Sequence, residues 1–143
     1  MPSDLALKTM NGVHRALLAV SFGRVGRRFG GMQSLELTTT GRKSGQPRAT
    51  MLTAPVIDGD TVVVVASRGG DPTDPAWFKN LEAEPRVTVR LIGGPARPMR
   101  ARTVTGDERD HLWQRIVTAQ PRYAGYQSKT DRVIPVVVLE PVA

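Results

Sequence analysis

Four consecutive valines, Val62-Val63-Val64-Val65, do most to restrict the folds open to this chain. A strand points successive side chains to opposite faces, so a run of valines has no polar side to turn to water. Such a strand must be covered on both faces and belongs in the middle of a sheet. Just before it stands Asp58-Gly59-Asp60, a turn chemistry that pairs 48–57 with 61–66 as a hairpin. The far end of the valine run delivers Ser67-Arg68-Gly69-Gly70 to one rim of the sheet.

Other strands follow the period-2 rule. Leu35 to Thr40 alternates apolar and polar residues, Pro47 opens the next strand, and Val87, Val89 and Leu91 alternate with Arg86, Thr88 and Arg90. Gly93-Gly94-Pro95 turns that strand into 96–104, and 133–139 forms a last buried strand whose Pro135 suggests an edge or a bulge. Two helices carry start signals. Asp74-Pro75 reads as an N-cap with proline at the first helical position, giving a helix over 75–82. Thr105-Gly106-Asp107-Glu108 reads as a capping box, followed by a helix that turns Leu112, Trp113, Ile116 and Val117 inward until Pro121. A loop then carries Tyr123 and Tyr126.

The first 31 residues are set apart from 32–143. Ala6, Met10, Val13, Leu17 and Val20 form one stripe of a helix, with Lys8, Asn11 and Arg15 opposite and a basic exit at Arg24, Arg27 and Arg28. Its apolar run falls well short of the ~20 residues that span a bilayer. Two readings stay open: a helix packed on its own domain, or a basic amphipathic element touching anionic lipid at the inner face of the cell membrane. The chain reads as a single domain of 143 residues overall.

The chemistry gathers at two glycine-rich turns. Gly41-Arg42-Lys43-Ser44-Gly45 sets two cations and a hydroxyl between residues that allow close backbone approach, Arg48 follows, and Ser67-Arg68-Gly69-Gly70 repeats the chemistry. Backbone N–H groups in such turns can form an anion-binding concavity, and arginine adds a planar fork for phosphate or carboxylate. A solvated basic turn would carry the same residues. A net charge of +7 makes acidic partners the natural class without choosing among polyanionic cofactor, membrane and nucleic acid. The arginines of 86–102 could hold a nucleic-acid backbone but lack the interleaved aromatics that stack bases, which favours a solvated strand face. With no cysteine, thiol chemistry and thiolate metal sites are excluded, and the two histidines, His14 and His111, make no metal motif.

These motifs carry a family likeness. Thr38-Thr39-Thr40-Gly41-Arg42-Lys43-Ser44-Gly45-Gln46-Pro47-Arg48, Ala66-Ser67-Arg68-Gly69-Gly70, Pro75-Ala76-Trp77-Phe78-Lys79-Asn80-Leu81 and Tyr123-Ala124-Gly125-Tyr126-Gln127-Ser128, with Thr130-Asp131-Arg132 after them, resemble the deazaflavin-dependent nitroreductase family in order and spacing. The resemblance implies an α+β, mainly antiparallel split β-barrel of six or seven strands with about three helices, binding coenzyme F420. It also implies a cytoplasmic oxidoreductase that moves a hydride from reduced deazaflavin to a quinone, an enone or a nitro compound, and it leaves a homodimer open. On the same warrant, Arg42, Lys43, Ser44 and Arg48 hold the phosphate and the acidic tail. Ala49, Thr50, Met51, Leu52 and Thr53 join the cofactor-binding set. Val65, Ala66, Ser67 and Arg68 lie along the ring and ribityl chain, and Ala76, Trp77, Phe78, Lys79 and Asn80 line the opposite wall. Tyr123 and Tyr126 cover the ring and face the acceptor as the catalytic pair. The alternatives are a flavin- or haem-binding carrier on the same barrel without turnover, or a basic nucleic-acid-binding module. The chain departs from the best-known nitroreductase at Thr50 to Thr53, Ala76, Gln120 and Lys129, so the likeness speaks more directly to cofactor than to acceptor.

Overall fold

A computed structural model describes residues 28–29, 32–70 and 73–142 of the chain. The amphipathic helix expected before residue 28, and with it any membrane contact, lies outside the described residues. Eight antiparallel strands form one sheet: β1 (Arg28–Phe29), β2 (Met32–Thr40), β3 (Pro47–Ala54), β4 (Val56–Asp58), β5 (Thr61–Val65), β6 (Arg86–Leu91), β7 (Ala96–Thr103) and β8 (Val136–Pro141). Helices α1 (Ala76–Ala83), α2 (Gly106–Ala119) and α3 (Arg122–Ser128) complete the described residues.

Closure follows from one proline. Leaving β1 aside, the strands neighbour one another in the order β3-β2-β6-β7-β8-β5-β4. The two ends of that series, β3 and β4, are consecutive in the chain and are separated only by Pro55. Proline cannot donate to a ladder, so the hairpin arm expected over 48–57 breaks there. Its first half pairs with β2 and its second with β5. One bent strand thus joins both ends of the sheet, giving a split barrel of six strands when β3 and β4 count as one.

The valine run behaves as its composition requires. Val62 and Val64 point into a cluster with Leu35, Leu37, Val87, Val89, Val137 and Leu139, inside the barrel. Val63 and Val65 point the other way, with Val136, Val138, Ile116, Tyr123 and Ile134, where α2 and α3 cover the sheet. Helix α1 plugs the interior with Trp77, Phe78 and Leu81, Trp77 and Phe78 meeting edge to face at 6.4 Å.

Three local expectations are corrected. Helix α1 starts one residue late, with Pro75 as its N-cap and no side-chain cap bond. Asp74 instead accepts from Arg132 at 2.8 Å, an ion pair that outcompetes a bond to a backbone N–H. Thr105 does cap α2 by position, but without a side-chain bond. Glu108, the other half of the expected box, takes both Arg102 Nη atoms at 2.8 Å. The segment carrying Tyr123 and Tyr126 is a helix of seven residues rather than a loop. Pro135 lies just before β8, where its carbonyl accepts from Ala66 N–H at 2.9 Å.

Candidate functional site

The first turn closes on itself and on α1. Gly41 N–H donates to Gln46 O and Gly45 N–H to Gly41 O, both at 2.8 Å, while the Ser44 hydroxyl accepts from Gln46 N–H at 3.1 Å and from Arg48 Nη2 at 3.4 Å. Gly45 sits at φ 72, a left-handed conformation suited to glycine. At Gly41 the need is space, since a Cβ would stand 2.7 Å from Ser44 Oγ. Asn80, buried on α1, then ties the turn down. Its Oδ1 accepts from Arg42 N–H at 3.2 Å and from Arg42 Nη1 at 3.0 Å, while its Nδ2 donates to the buried Thr39 hydroxyl at 3.1 Å.

The second turn is held from the C-terminal side. Arg132 Nη1 donates to Ala66 O at 3.1 Å and to Asp74 Oδ1 at 2.8 Å, and its Nη2 donates to Ser67 O at 2.8 Å. The turn then enters a short 3-10 segment, Arg68–Gly70, with Arg68 at φ 45 and Gly70 at φ 85. Gly70 is packed so closely on α3 that a Cβ would lie 2.8 Å from Tyr126 O.

Of the residues expected in the site, Arg42, Lys43, Ser44 and Arg48 stand exposed on the first turn and Lys79 exposed on α1, so five polar groups, four of them cationic, face solvent on connected elements. Ser67 and Arg68 are half-buried at the second turn. Ala49 is exposed on β3, Thr50, Leu52 and Thr53 are half-buried, and Met51 is buried. Val65 and Ala66 are buried in the two cores, Trp77 and Phe78 lie in the barrel interior, and Ala76 is exposed. Two of the first-turn N–H groups of α1, those of Phe78 and Lys79, bond to Pro75 O and stay within the helix.

The tyrosines differ from each other. Tyr123 is buried, its hydroxyl 3.6 Å from Met32 Sδ. Burial pushes its phenol up, partly offset by hydrogen bonding to Thr53, so it stays neutral across the physiological range. Tyr126 is half-buried, meets the Tyr123 ring edge to face at 5.7 Å and has Lys129 Nζ over its own ring at 5.9 Å.

The braces are what sequence reasoning misses. Arg132 belongs to one of the motifs but carries no expected role there, and Asp74 reads as a cap. Asn80 is expected to touch the cofactor, yet its carboxamide is turned to Arg42 and Thr39. A cleft of about 440 Å³ lies elsewhere, against α2, β5 and β8, with Val63, Leu112 and Val138 among its walls and Arg102 and Arg115 at its rim. Those two cations are already paired, Arg102 with Glu108 and Glu140 and Arg115 with Asp58. Among the described residues no three His, Cys, Asp or Glu cluster as a metal site, and no helix is long and apolar enough to cross a membrane.

The described residues form a split barrel with two braced, glycine-bounded turns, the first of them carrying exposed cations. Comparison with known proteins gives the class its name. The profile of the F420H(2)-dependent quinone reductase family matches residues 12–141, and the chain belongs to that family. It is therefore an oxidoreductase whose cofactor is coenzyme F420. An F420H(2)-dependent quinone reductase of Mycobacterium tuberculosis is 45% identical over 132 residues, covering 89% of this chain and 87% of the relative. Among solved structures, an F420-H2 dependent reductase is 44% identical with a TM-score of 0.66, covering 75% of this chain and 93% of its own. A second structure, described as a domain-swapped dimer, is 38% identical with a TM-score of 0.69, covering 93% and 99%.

Proposed function

We propose that the protein reduces quinones, and by the same chemistry enones and nitro compounds, with Arg42, Lys43, Ser44 and Arg48 holding the acidic tail of F420. The observation that carries this reading is the braced first turn. Its cations face solvent from a backbone fixed by Asn80, as an extended polyanion requires. The donor set fits the cofactor: guanidinium, ammonium, hydroxyl and backbone N–H groups suit phosphate and carboxylates. Bound F420H2 supplies the hydride, so the protein needs neither metal nor nucleophile. The chain binds and orients, with Val65 to Arg68 along the ring and ribityl chain and Ala76 to Asn80 along the opposite wall.

Fluorescence titration tests the binding half. F420 is expected to bind at least ten-fold tighter than FMN, since two cationic turns favour a long acidic tail over one phosphate, and ten-fold is about 1.4 kcal/mol. FMN binding equally well would sink the proposal.

Hydride arrival leaves negative charge on an acceptor oxygen, and a phenol can donate to it. We assign that donation to Tyr126, because the Tyr123 hydroxyl is buried and engaged with Met32. Tyr126→Phe is therefore expected to lower quinone turnover, by up to about 3 kcal/mol in the transition state when the donor is fully engaged. Tyr123→Phe should chiefly lower the melting point, by about 1 kcal/mol of stability. Steady-state rates beside melting curves check both, and the reverse pattern would exchange the two roles.

A further inference from the structure

We infer that Arg132 is a positioning residue of the cofactor site, acting through the main chain of the second turn. The inference rests on the reading that the two turns hold F420. Arg132 comes from the loop after α3, and its side chain is only 14% exposed. One planar guanidinium meets three acceptors from two places: the carbonyls of Ala66 and Ser67 at the end of β5, and the carboxylate of Asp74 ahead of α1.

The turn needs such a brace. Arg68, directly after the two clamped carbonyls, has φ 45, in the left-handed region that costs an L-residue free energy and persists only where the surroundings over-determine it. Arg132 is itself held. Its N–H donates to Thr130 Oγ1 at 3.3 Å, its carbonyl accepts from Gln127 Nε2 at 2.7 Å, and Gln127 Oε1 accepts from Ile134 N–H at 3.0 Å. Gln127 lies one residue after Tyr126, so the helix carrying the tyrosines and the turn carrying Arg68 are tied through one side chain. Through Asp74 the tie continues to α1, whose Asn80 braces the first turn. Arg132 thereby fixes the second turn relative to the first, without touching the cofactor.

Lysine is a poor substitute, because a single ammonium on a flexible stem cannot span three acceptors in one plane. The test compares wild type, Arg132→Lys and Arg132→Ala by F420 titration, melting, and steady-state kinetics at saturating quinone. Arg132→Lys should keep its melting point within ~5 °C, bind F420 at least ten-fold more weakly, raise KM for F420H2 and leave kcat within about two-fold. Arg132→Ala should recover affinity with millimolar methylguanidinium and not with methylammonium. Wild-type affinity in Arg132→Lys would overturn the inference. Loss of the fold in both variants, unrelieved by methylguanidinium, would also overturn it by making Arg132 a folding residue. Failure of the wild type itself to bind F420 would instead remove the reading on which the inference stands.

Discussion

Gly70→Ala is expected to destabilise the protein by roughly 2–5 kcal/mol, combining left-handed strain of about 1–2 with overpacking of about 1–3. Gly70 stands at φ 85, and an added methyl would meet Tyr126 O at 2.8 Å and Lys129 Cβ at 2.9 Å. The first of these is main chain and can yield only if α3 moves. Gly59→Ala is the control, since Gly59 has φ 59 but open space around it, so only strain of about 1–2 kcal/mol remains. Urea melts of the two variants should therefore separate by more than about 1 kcal/mol. Because displacing α3 also displaces Tyr126 and Gln127, any folded Gly70→Ala should turn over more slowly than its Gly59→Ala counterpart. Equal midpoints for the two would mean that the contact with α3 is absent in solution.

The second large effect is expected at Asn80. Asn80→Ala removes the acceptor for Arg42 N–H and Nη1 and the donor to Thr39. Arg42 is exposed and regains water, while the hydroxyl of Thr39, a residue only 2% exposed, loses its donor from α1 and is left in the core. The expected loss of stability is about 1–3 kcal/mol, the cost of a buried polar group deprived of its partner. Asn80→Asp separates bracing from charge. The carboxylate still accepts from Arg42, and the Thr39 hydroxyl can turn to donate, so the fold should suffer less than in the alanine variant. The new negative charge lies against the turn proposed to hold the acidic tail, so F420 affinity should fall about ten- to a hundred-fold, about 1.4–2.7 kcal/mol. Unchanged F420 affinity in Asn80→Asp would mean that the first turn is not where the acidic tail lies.

Much of the barrel is legible from alternation. Leu35 and Leu37 are fully buried with Glu36 half-exposed between them, and the four valines are buried on both faces, because strand period and water leave no other arrangement. What local rules misjudge are side chains with two possible partners. Asp74 and Glu108 both occupy helix-start positions, and both are drawn off by arginines. Arg132 is 58 residues from Asp74 in the chain, a distance at which no sequence window reports a bond. The same blindness affects the site. Arg42, Lys43 and Ser67 announce themselves as motif residues, but whether Asn80 touches a ligand or holds the turn depends on a contact 38 residues away. The helix over 122–128 escapes sequence reasoning because seven residues, begun at Pro121 and containing Gly125, have too little periodicity to register.

The valine strand has one more consequence. β5 and β8 pair as Val62 with Leu139, Val63 with Val138, Val64 with Val137 and Val65 with Val136, so seven of the eight facing side chains are identical. Displacing one strand along the other by a single residue would exchange valine for valine at most of these positions, so the run itself holds little information against it; only at its end would Glu140 come to the buried Leu139 position. In most half-buried sheets such a slip turns polar groups inward and is forbidden at once. Here the alignment must be written at the ends of the strand: in the Asp58-Gly59-Asp60 reversal before it, and after it in the Ala66 bond to Pro135 and the Arg132 clamp on Ala66 and Ser67. The residues that shape the second turn are thus also those that tell two featureless strands where to stop.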